Sequence, residues 1–292
     1  MAKSTVRLRE LLRRGDFLPA IGVWDALGAR LVERAGFPVV YAGGHAMAAS
    51  CGYPDVGLVT MTEVVDRAGS IASSVAVPTI CDADTGYGDI PNVQRTIREL
   101  ERAGIAACHI EDQTFPKRCG SYRGKSVITK KEMVRKIRAA ADARSDPDFL
   151  IIARTDAVDI EGFESTLARA KAYERAGADA IMPDNGKGLG LAEMKRLTGE
   201  LTVPAVMLIL ETDWWVRKHR VWGIQEGKQC GYKMGIFPLS LLYSSLHRMK
   251  EVLAEIKEKG TTQDLLGSMI DSEELGALAG LPRVREAEKR YK

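Results

Sequence analysis

No apolar run in this 292-residue chain comes near the roughly 20 residues that a membrane-spanning helix needs. The opening residues, Met-Ala-Lys-Ser-Thr-Val-Arg, lack the apolar stretch of a secretory signal. The expectation is a soluble, cytoplasmic protein with no membrane partner. Charge of one sign is not in excess either. A net charge of +3 is too small to argue for nucleic acid, the basic residues are spread rather than massed, and no nucleic-acid motif is visible. Cysteine is sparse. Cys51, Cys81, Cys108, Cys119 and Cys230 are odd in number and include no Cys-x-x-Cys, which argues against a structural zinc site or a disulfide framework. A Gly-x-Gly-x-x-Gly turn after a first strand is also missing, which disfavours an open doubly wound sheet. Gly186-Lys187-Gly188-Leu189-Gly190 has a different spacing and reads as a loop.

What is present is a 45% hydrophobic chain, long enough to bury a substantial core. One internal repeat organises it. Glu33-Arg34-Ala35-Gly36, Glu101-Arg102-Ala103-Gly104 and Glu174-Arg175-Ala176-Gly177 each precede a short apolar run. Each reads as a helix end, a glycine cap and a buried strand. The runs are Phe37–Tyr41, Ile105–Ile110 and Ala178–Met182. Leu18–Val23, Val77–Cys81, Phe149–Ala153, Val203–Leu210 and Tyr232–Phe237 fit the gaps, which makes eight strands. Helical apolar spacing, as in Asn92–Ala103 and Lys130–Ala143, separates most of them. Eight alternating strand–helix units predict a (β/α)8 TIM barrel. The whole chain reads as a single barrel domain, with the barrel over about 8–240 and a helical extension over 241–292. Within the extension, Leu241–Ile256 is one amphipathic segment, and Leu265–Tyr291 holds one or two more, broken near Gly280 and Pro282. These helices exceed what eight units need and would pack on a neighbouring subunit or on the chain's own barrel.

Catalytic groups of such barrels sit at the C-terminal ends of the strands. Here those ends read Trp24-Asp25, Gly43-Gly44-His45, Asp82-Ala83-Asp84, Glu111-Asp112, Arg154-Thr155-Asp156 and Asp184-Asn185. Asp82 and Asp84, two apart on an extended segment, point the same way, and Glu111 adds a third acid from the next strand. Carboxylates held together repel unless a cation is bound or one takes a proton. An all-oxygen cluster with few ligands suits Mg²⁺, with Mn²⁺ as second choice. Cys119 lies between Lys117-Arg118 and Gly120. Neighbouring cations favour a thiolate, and glycine lets the loop hinge. None of His45, His109, His219 and His247 is adjacent in sequence, so proton transfer is preferred to a Cys–His nucleophile, against an ordinary loop thiol. Arg154, ending a buried strand, needs an anion. That anion is either a substrate carboxylate, bound bidentately, or a barrel acid such as Glu111.

Together, Tyr-Pro-Asp-Val-Gly (53–57), Asp-Ala-Asp-Thr-Gly-Tyr-Gly (82–88), His-Ile-Glu-Asp-Gln (109–113), Lys-Arg-Cys-Gly (117–120) and Ile-Ala-Arg-Thr-Asp (152–156) resemble the isocitrate lyase/phosphoenolpyruvate mutase superfamily over roughly Leu8 to Thr262. Within it they are similar to 2-methylisocitrate lyases, 2,3-dimethylmalate lyases and carboxyphosphonoenolpyruvate mutases. The resemblance implies Mg²⁺ on Asp82 and Asp84, directly or through water, with Asp55 and Glu111 in its outer shell. It implies that Tyr41 and the backbone of Gly43, Gly44 and His45 hold a pyruvoyl carboxylate, and that Arg154 contacts that end of the substrate. Cys119 would be the acid/base on a gating loop, with Lys117, Gly120 and Ser121 around it. The family fold is a (β/α)8 barrel whose C-terminal helix is commonly swapped between subunits in tetramers built as dimers of dimers, so the resemblance implies a homotetramer.

Departures mark the other half of the site. Ser121 stands where such lyases have His, Asp184 where they have Glu, Leu208 where Asn is common and Gly43 where Ser is frequent. Asp213-Trp214-Trp215-Val216-Arg217 is unlike the usual sequence. A carboxylate buried without donors is costly. The distal end of the substrate is then less anionic, larger or more apolar than in methylisocitrate, with Trp214 or Trp215 over it, unless Arg123 or Lys125 replaces the lost donors. The leading expectation is a Mg²⁺-dependent carbon–carbon lyase for a 2-hydroxy acid of the alkylmalate or methylisocitrate kind, its partner a small carboxylic acid. The alternatives are a phosphonopyruvate-type mutase, an oxaloacetate hydrolase, or a non-catalytic binding protein on a retained barrel.

Overall fold

The computed structural model describes residues 3–184, 189–209, 211 and 221–291. They fall into two compact units, Met1–Leu239 and Ser240–Lys292.

The first unit is built on eight strands: β1 Leu18–Val23, β2 Val39–Ala42, β3 Thr79–Asp82, β4 Ala107–Glu111, β5 Leu150–Thr155, β6 Ala180–Pro183, β7 Val206–Leu208 and β8 Met234–Phe237. All neighbours are parallel, in the order β6-β5-β4-β3-β2-β1-β8-β7. The ring closes between the two ends of that order. Ile181 bridges Ala205 in parallel, and the Ile181 amide donates to the Pro204 carbonyl at 3.0 Å. The expected (β/α)8 barrel is the fold, with each expected strand present and its start shortened by up to three residues.

The repeat explains how the strands enter. Gly36, Gly104 and Gly177 have φ of 84°, 83° and 105°, the left-handed region that glycine adopts without a Cβ clash. The repeat glutamates have a second use. Glu33 accepts from the Ala76 and Val77 amides, Glu101 from Ser145 and Asp146, and Glu174 from Thr202 and Val203. Each therefore fixes the chain leading into the next strand, β3, β5 and β7 respectively. Two barrel helices, Met61–Ser74 and Lys130–Ala143, begin with capping boxes, Thr60 with Glu63 and Thr129 with Glu132.

Alternation along each strand sorts the interior. Leu18, Ala20, Val39, Ile80, Ala107, Leu150, Ile152, Ala180, Val206, Met234 and Ile236 form one buried cluster inside the ring. The helix Ser4–Arg13 packs Leu8, Leu11 and Leu12 against it, and Leu8 is fully buried. The same parity carried upward leaves polar residues at the top.

The second unit holds the helices Ser240–Lys259, Ser272–Ala279 and Leu281–Arg290, with a 3₁₀ turn at Gln263–Ser268. The expected break falls at Gly280, whose φ is 93°. Leu246, Met249, Leu253 and Ile256 are exposed along the first of these helices. No described helix is long and apolar enough to cross a membrane.

Candidate active site

Asp82 ends β3 at the centre of the barrel mouth. Its Oδ2 accepts from the Gly44 amide and the Tyr41 hydroxyl, both at 3.2 Å, and its Oδ1 accepts from the Asp84 amide at 2.9 Å. Gly44 must be glycine here, because a Cβ would lie 2.7 Å from Asp82 Oδ2. Burial opposes the charge of Asp82, but His109, Lys117 and Arg154 outweigh it and hold the carboxyl well below its ordinary range. The Tyr41 ring stacks on His109, with the phenol oxygen 2.9 Å from His109 Nε2. Burial lowers His109 to about 4, so its imidazole is neutral. His109 shares the inward parity of Glu111 on β4, which is the signal that would have found it in the sequence.

Contrary to expectation, Asp84 does not sit on an extended segment; β3 stops at Asp82, and Asp84 has φ of +45°. Its carbonyl accepts from the Glu111 amide at 2.8 Å, so the turn still brings Asp84 beside Glu111. Burial, with Asp82 and Asp55 adding, pushes Asp84 up to about 6. Burial also pushes Glu111 well up, with Asp156 and Asp82 adding and Arg154 opposing. Glu111 Oε1 is buried with no hydrogen-bond partner. Three acids crowded in this way, with one oxygen orphaned, are a donor set that fits a hard divalent cation.

Lys117 is buried and bridges two of the acids, with its ammonium on Asp55 Oδ1 and 2.9 Å from Asp84 Oδ1. Burial works against its charge, and Asp84 and Asp55 more than restore it. Gln113 staples the following loop: its side chain accepts from the Arg118 amide and donates to the Arg118 carbonyl, each at 2.9 Å. The Cys119 amide donates to the Asp55 carbonyl at 3.0 Å. Gln113 is inconspicuous in the sequence beyond its motif, and its work is visible only once the loop folds back.

Cys119 Sγ is 3.4 Å from His45 Nδ1 and 3.2 Å from Ser121 Oγ. This corrects two expectations. A histidine does adjoin the thiol, from 74 residues away in sequence. And the thiolate is not favoured: burial raises the Cys119 thiol, Asp55 adds to that, and Ser121 and Lys117 only partly offset it. Burial also lowers His45, so both groups sit in their neutral forms.

Arg154 takes the barrel-acid alternative. Its fork donates to both oxygens of Asp156 at 2.9 Å, and NH1 lies 3.2 Å from Glu111 Oε2. Asp184 accepts from Lys125 at 2.7 Å, and Lys125 also lies 3.6 Å from Asp156. Lys125 is thus held by acids. Gly120 sits against Asp184, and a Cβ there would lie 3.2 Å from Oδ2. Below, Asp112 accepts from Thr155, the Asp156 amide, Tyr173 and Arg169, which locks the ends of β4 and β5 together.

These groups line one narrow cavity of about 60 Å³. Tyr41, Gly43, Gly44, His45, Asp55, Asp82, Lys117, Cys119, Gly120, Ser121 and Arg154 form its polar side, and Leu208, Ile209, Pro238 and Leu239 its apolar side. Asp84, Glu111 and Asp184 stand behind that lining. Trp214 and Trp215, expected over the distal end, lie outside the described residues, as do Leu210 and most of the Gly186–Gly190 loop.

A sequence model of phosphoenolpyruvate phosphomutase matches residues 8–257. The chain belongs to that family. The 2,3-dimethylmalate lyase of Eubacterium barkeri is 39% identical to this family member over 289 residues, 99% of this chain and 98% of that one. The 2-methylisocitrate lyase of Aeropyrum pernix is 42% identical over 273 residues, 94% and 86% of the two chains. A solved phosphonopyruvate hydrolase in complex with oxalate and Mg²⁺ superposes on this family member with a TM-score of 0.88 at 28% identity, covering 99% of each chain. The expected superfamily is therefore the right one.

Proposed function

We propose that this carbon–carbon lyase of the phosphoenolpyruvate mutase/isocitrate lyase superfamily cleaves a 2-hydroxy acid of the 2-alkylmalate or methylisocitrate kind. The products are a 2-keto acid such as pyruvate and a second carboxylic acid. The observation that carries this reading is that a buried thiol, Cys119, and a buried carboxyl, Asp82, line one cavity, burial raising the first and nearby cations lowering the second.

Asp82 would hold Mg²⁺, with Asp84 and Glu111 meeting it directly or through water and Asp55 outside them; Mn²⁺ is the second choice. Bound there, the ion supplies fixed positive charge for the substrate's hydroxyl and neighbouring carboxylate oxygens. The amides of Gly43, Gly44 and His45, which line the cavity, would receive that carboxylate, with Gly44 also donating to Asp82. Tyr41 and Arg154 line the same cavity and would contact that end of the substrate. A base in the site takes the hydroxyl proton, the adjacent carbon–carbon bond breaks, and its electron pair stays on the departing acid. Cys119 places its proton on that carbon, and the thiolate recovers the proton released from the hydroxyl. Proton delivery by a positioned group of this kind contributes typically about 10²–10⁴-fold in rate. Ser121 holds the thiol, Gly120 lets the loop lie against Asp184, and Lys117 anchors it through Asp55.

Leu208, Ile209 and Leu239 support an alkyl substituent at the distal end, since burying apolar surface there is favourable. The site works in the cytoplasm, and the chain assembles as a homotetramer through the Ser240–Lys292 unit, whose first helix exposes Leu246, Met249 and Leu253. Sedimentation velocity reads the assembly directly. The reaction is tested by offering malates, 2-alkylmalates, methylisocitrate, oxaloacetate and phosphonopyruvate with Mg²⁺, and coupling released 2-keto acid to lactate dehydrogenase. EDTA-sensitive 2-keto acid from an alkylmalate, with a second acid in equal amount, is expected. Turnover confined to oxaloacetate or phosphonopyruvate would replace this reading with hydrolase or mutase chemistry.

A further inference from the structure

Three ligand types meet in the lining of the cavity, sharing only Asp55 with the surroundings of the acid cluster. Among the described residues, His45, Asp55 and Cys119 are the group whose metal-ligating atoms all lie within 4.8 Å of one another. His45 Nδ1 stands 3.4 Å from Cys119 Sγ and 3.7 Å from Asp55 Oδ2. A tetrahedral Zn²⁺, bound at about 2.3 Å to sulfur and about 2.0–2.1 Å to nitrogen or oxygen, holds its ligand atoms about 3.3–3.6 Å apart. The two spacings are therefore close to edges of a zinc tetrahedron already. Lys117 takes the other oxygen of Asp55, so Oδ2 is the one turned to His45.

We propose that His45, Asp55 and Cys119 form a second metal site, for a thiophilic divalent cation such as Zn²⁺, whose occupancy blocks Cys119 and shuts the enzyme off. Softness separates it from the first site. A thiolate and an imidazole select Zn²⁺, whereas an all-carboxylate set selects Mg²⁺. Binding converts the Cys119 thiol to a metal-bound thiolate and releases one proton to solvent. No oxidant or reductant takes part. With three protein ligands, the fourth position is left for water or a substrate carboxylate. Only the inhibitory half of the inference rests on the lyase reading, through Cys119 as proton donor; the binding half stands by itself.

The test uses the full chain with Mg²⁺ at saturation and Co²⁺ as a spectroscopic substitute for Zn²⁺. A thiolate-to-cobalt charge-transfer absorption is expected in the unsubstituted protein, displaced by added Zn²⁺ but not by further Mg²⁺. Cys119→Ser removes the absorption. Since loss of groups that merely support a ligand costs about 10–100-fold in affinity, loss of the ligand itself should weaken Zn²⁺ by at least about 100-fold. His45→Gln, which keeps the thiol, should retain a shifted absorption at lower affinity. An absorption that survives Cys119→Ser, through Cys51 for example, overturns the site, and so does one-for-one competition between Zn²⁺ and Mg²⁺. If cobalt binds as expected while Zn²⁺ leaves alkylmalate cleavage untouched, the site stands and the role of Cys119 as donor falls instead.

Discussion

Cys119 shows how burial can overrule neighbouring charge. Lys117 and Arg118 flank it in sequence, yet Lys117 is neutralised by Asp55 and Asp84, and desolvation decides the protonation of the thiol. A thiol that keeps its proton is suited to donating one. Cys119→Ser is expected to lower kcat by about 10²–10⁴-fold, while calorimetric Mg²⁺ binding stays unchanged because the acid cluster is untouched. Normal turnover in that variant would sink the assigned role. At this scale the sequence located the acids, since strand-end position and parity are local properties. It could not show the contact of His45 with Cys119, or the fork of Arg154 on Asp156, because such partners are set by how strands and loops meet.

Elements are joined by the repeat glutamates, and this has a measurable consequence. Burial alone would raise Glu174, but bonds from Thr202 and Val203 outweigh it and lower its pKa. A depressed carboxylate contributes stability above its unfolded value, about 4.3 for glutamate, and loses it as pH falls through the folded value. The stability advantage of the unsubstituted protein over Glu174→Gln, read by urea unfolding, should therefore be full at pH 7 and shrink below about pH 4.3. An advantage that persists at pH 3 would show that the bond is not to the ionised form. The helix Ser4–Arg13 gives a second case. Leu8 is fully buried against the barrel interior, so Leu8→Ala should cost about 2–5 kcal/mol in the same assay. The periodicity of the chain predicted the helices and strands well, because burial on one face is written residue by residue. It shifted several strand starts, because the glycine-capped turns take up the first residues of each apolar run.

For the molecule as a whole, the acid cluster crowds carboxyls that burial disfavours in their charged form, and a bound cation would relieve that cost. Ligand binding to the folded state alone stabilises by mass action, about 2.7 kcal/mol at a hundred times Kd. Added Mg²⁺ should raise the melting temperature in proportion to the logarithm of its concentration, and Asp82→Asn should abolish the shift. A melting temperature indifferent to Mg²⁺ in the unsubstituted protein would remove the metal from Asp82, Asp84 and Glu111.

The sequence by itself determined the barrel, the family and the polar strand ends. Strand–helix alternation, glycine caps and motif spacing are one-dimensional signals, and each survives folding unchanged. Only the tertiary structure decided which groups are charged and which touch. Closing the ring through Ile181 and Ala205 converges the strand ends, and folding the Gln113–Lys125 loop over them buries Lys117 and Cys119. Protonation follows burial and the sum of nearby charges. Those depend on distances in space, and no reading of neighbours along the chain supplies them.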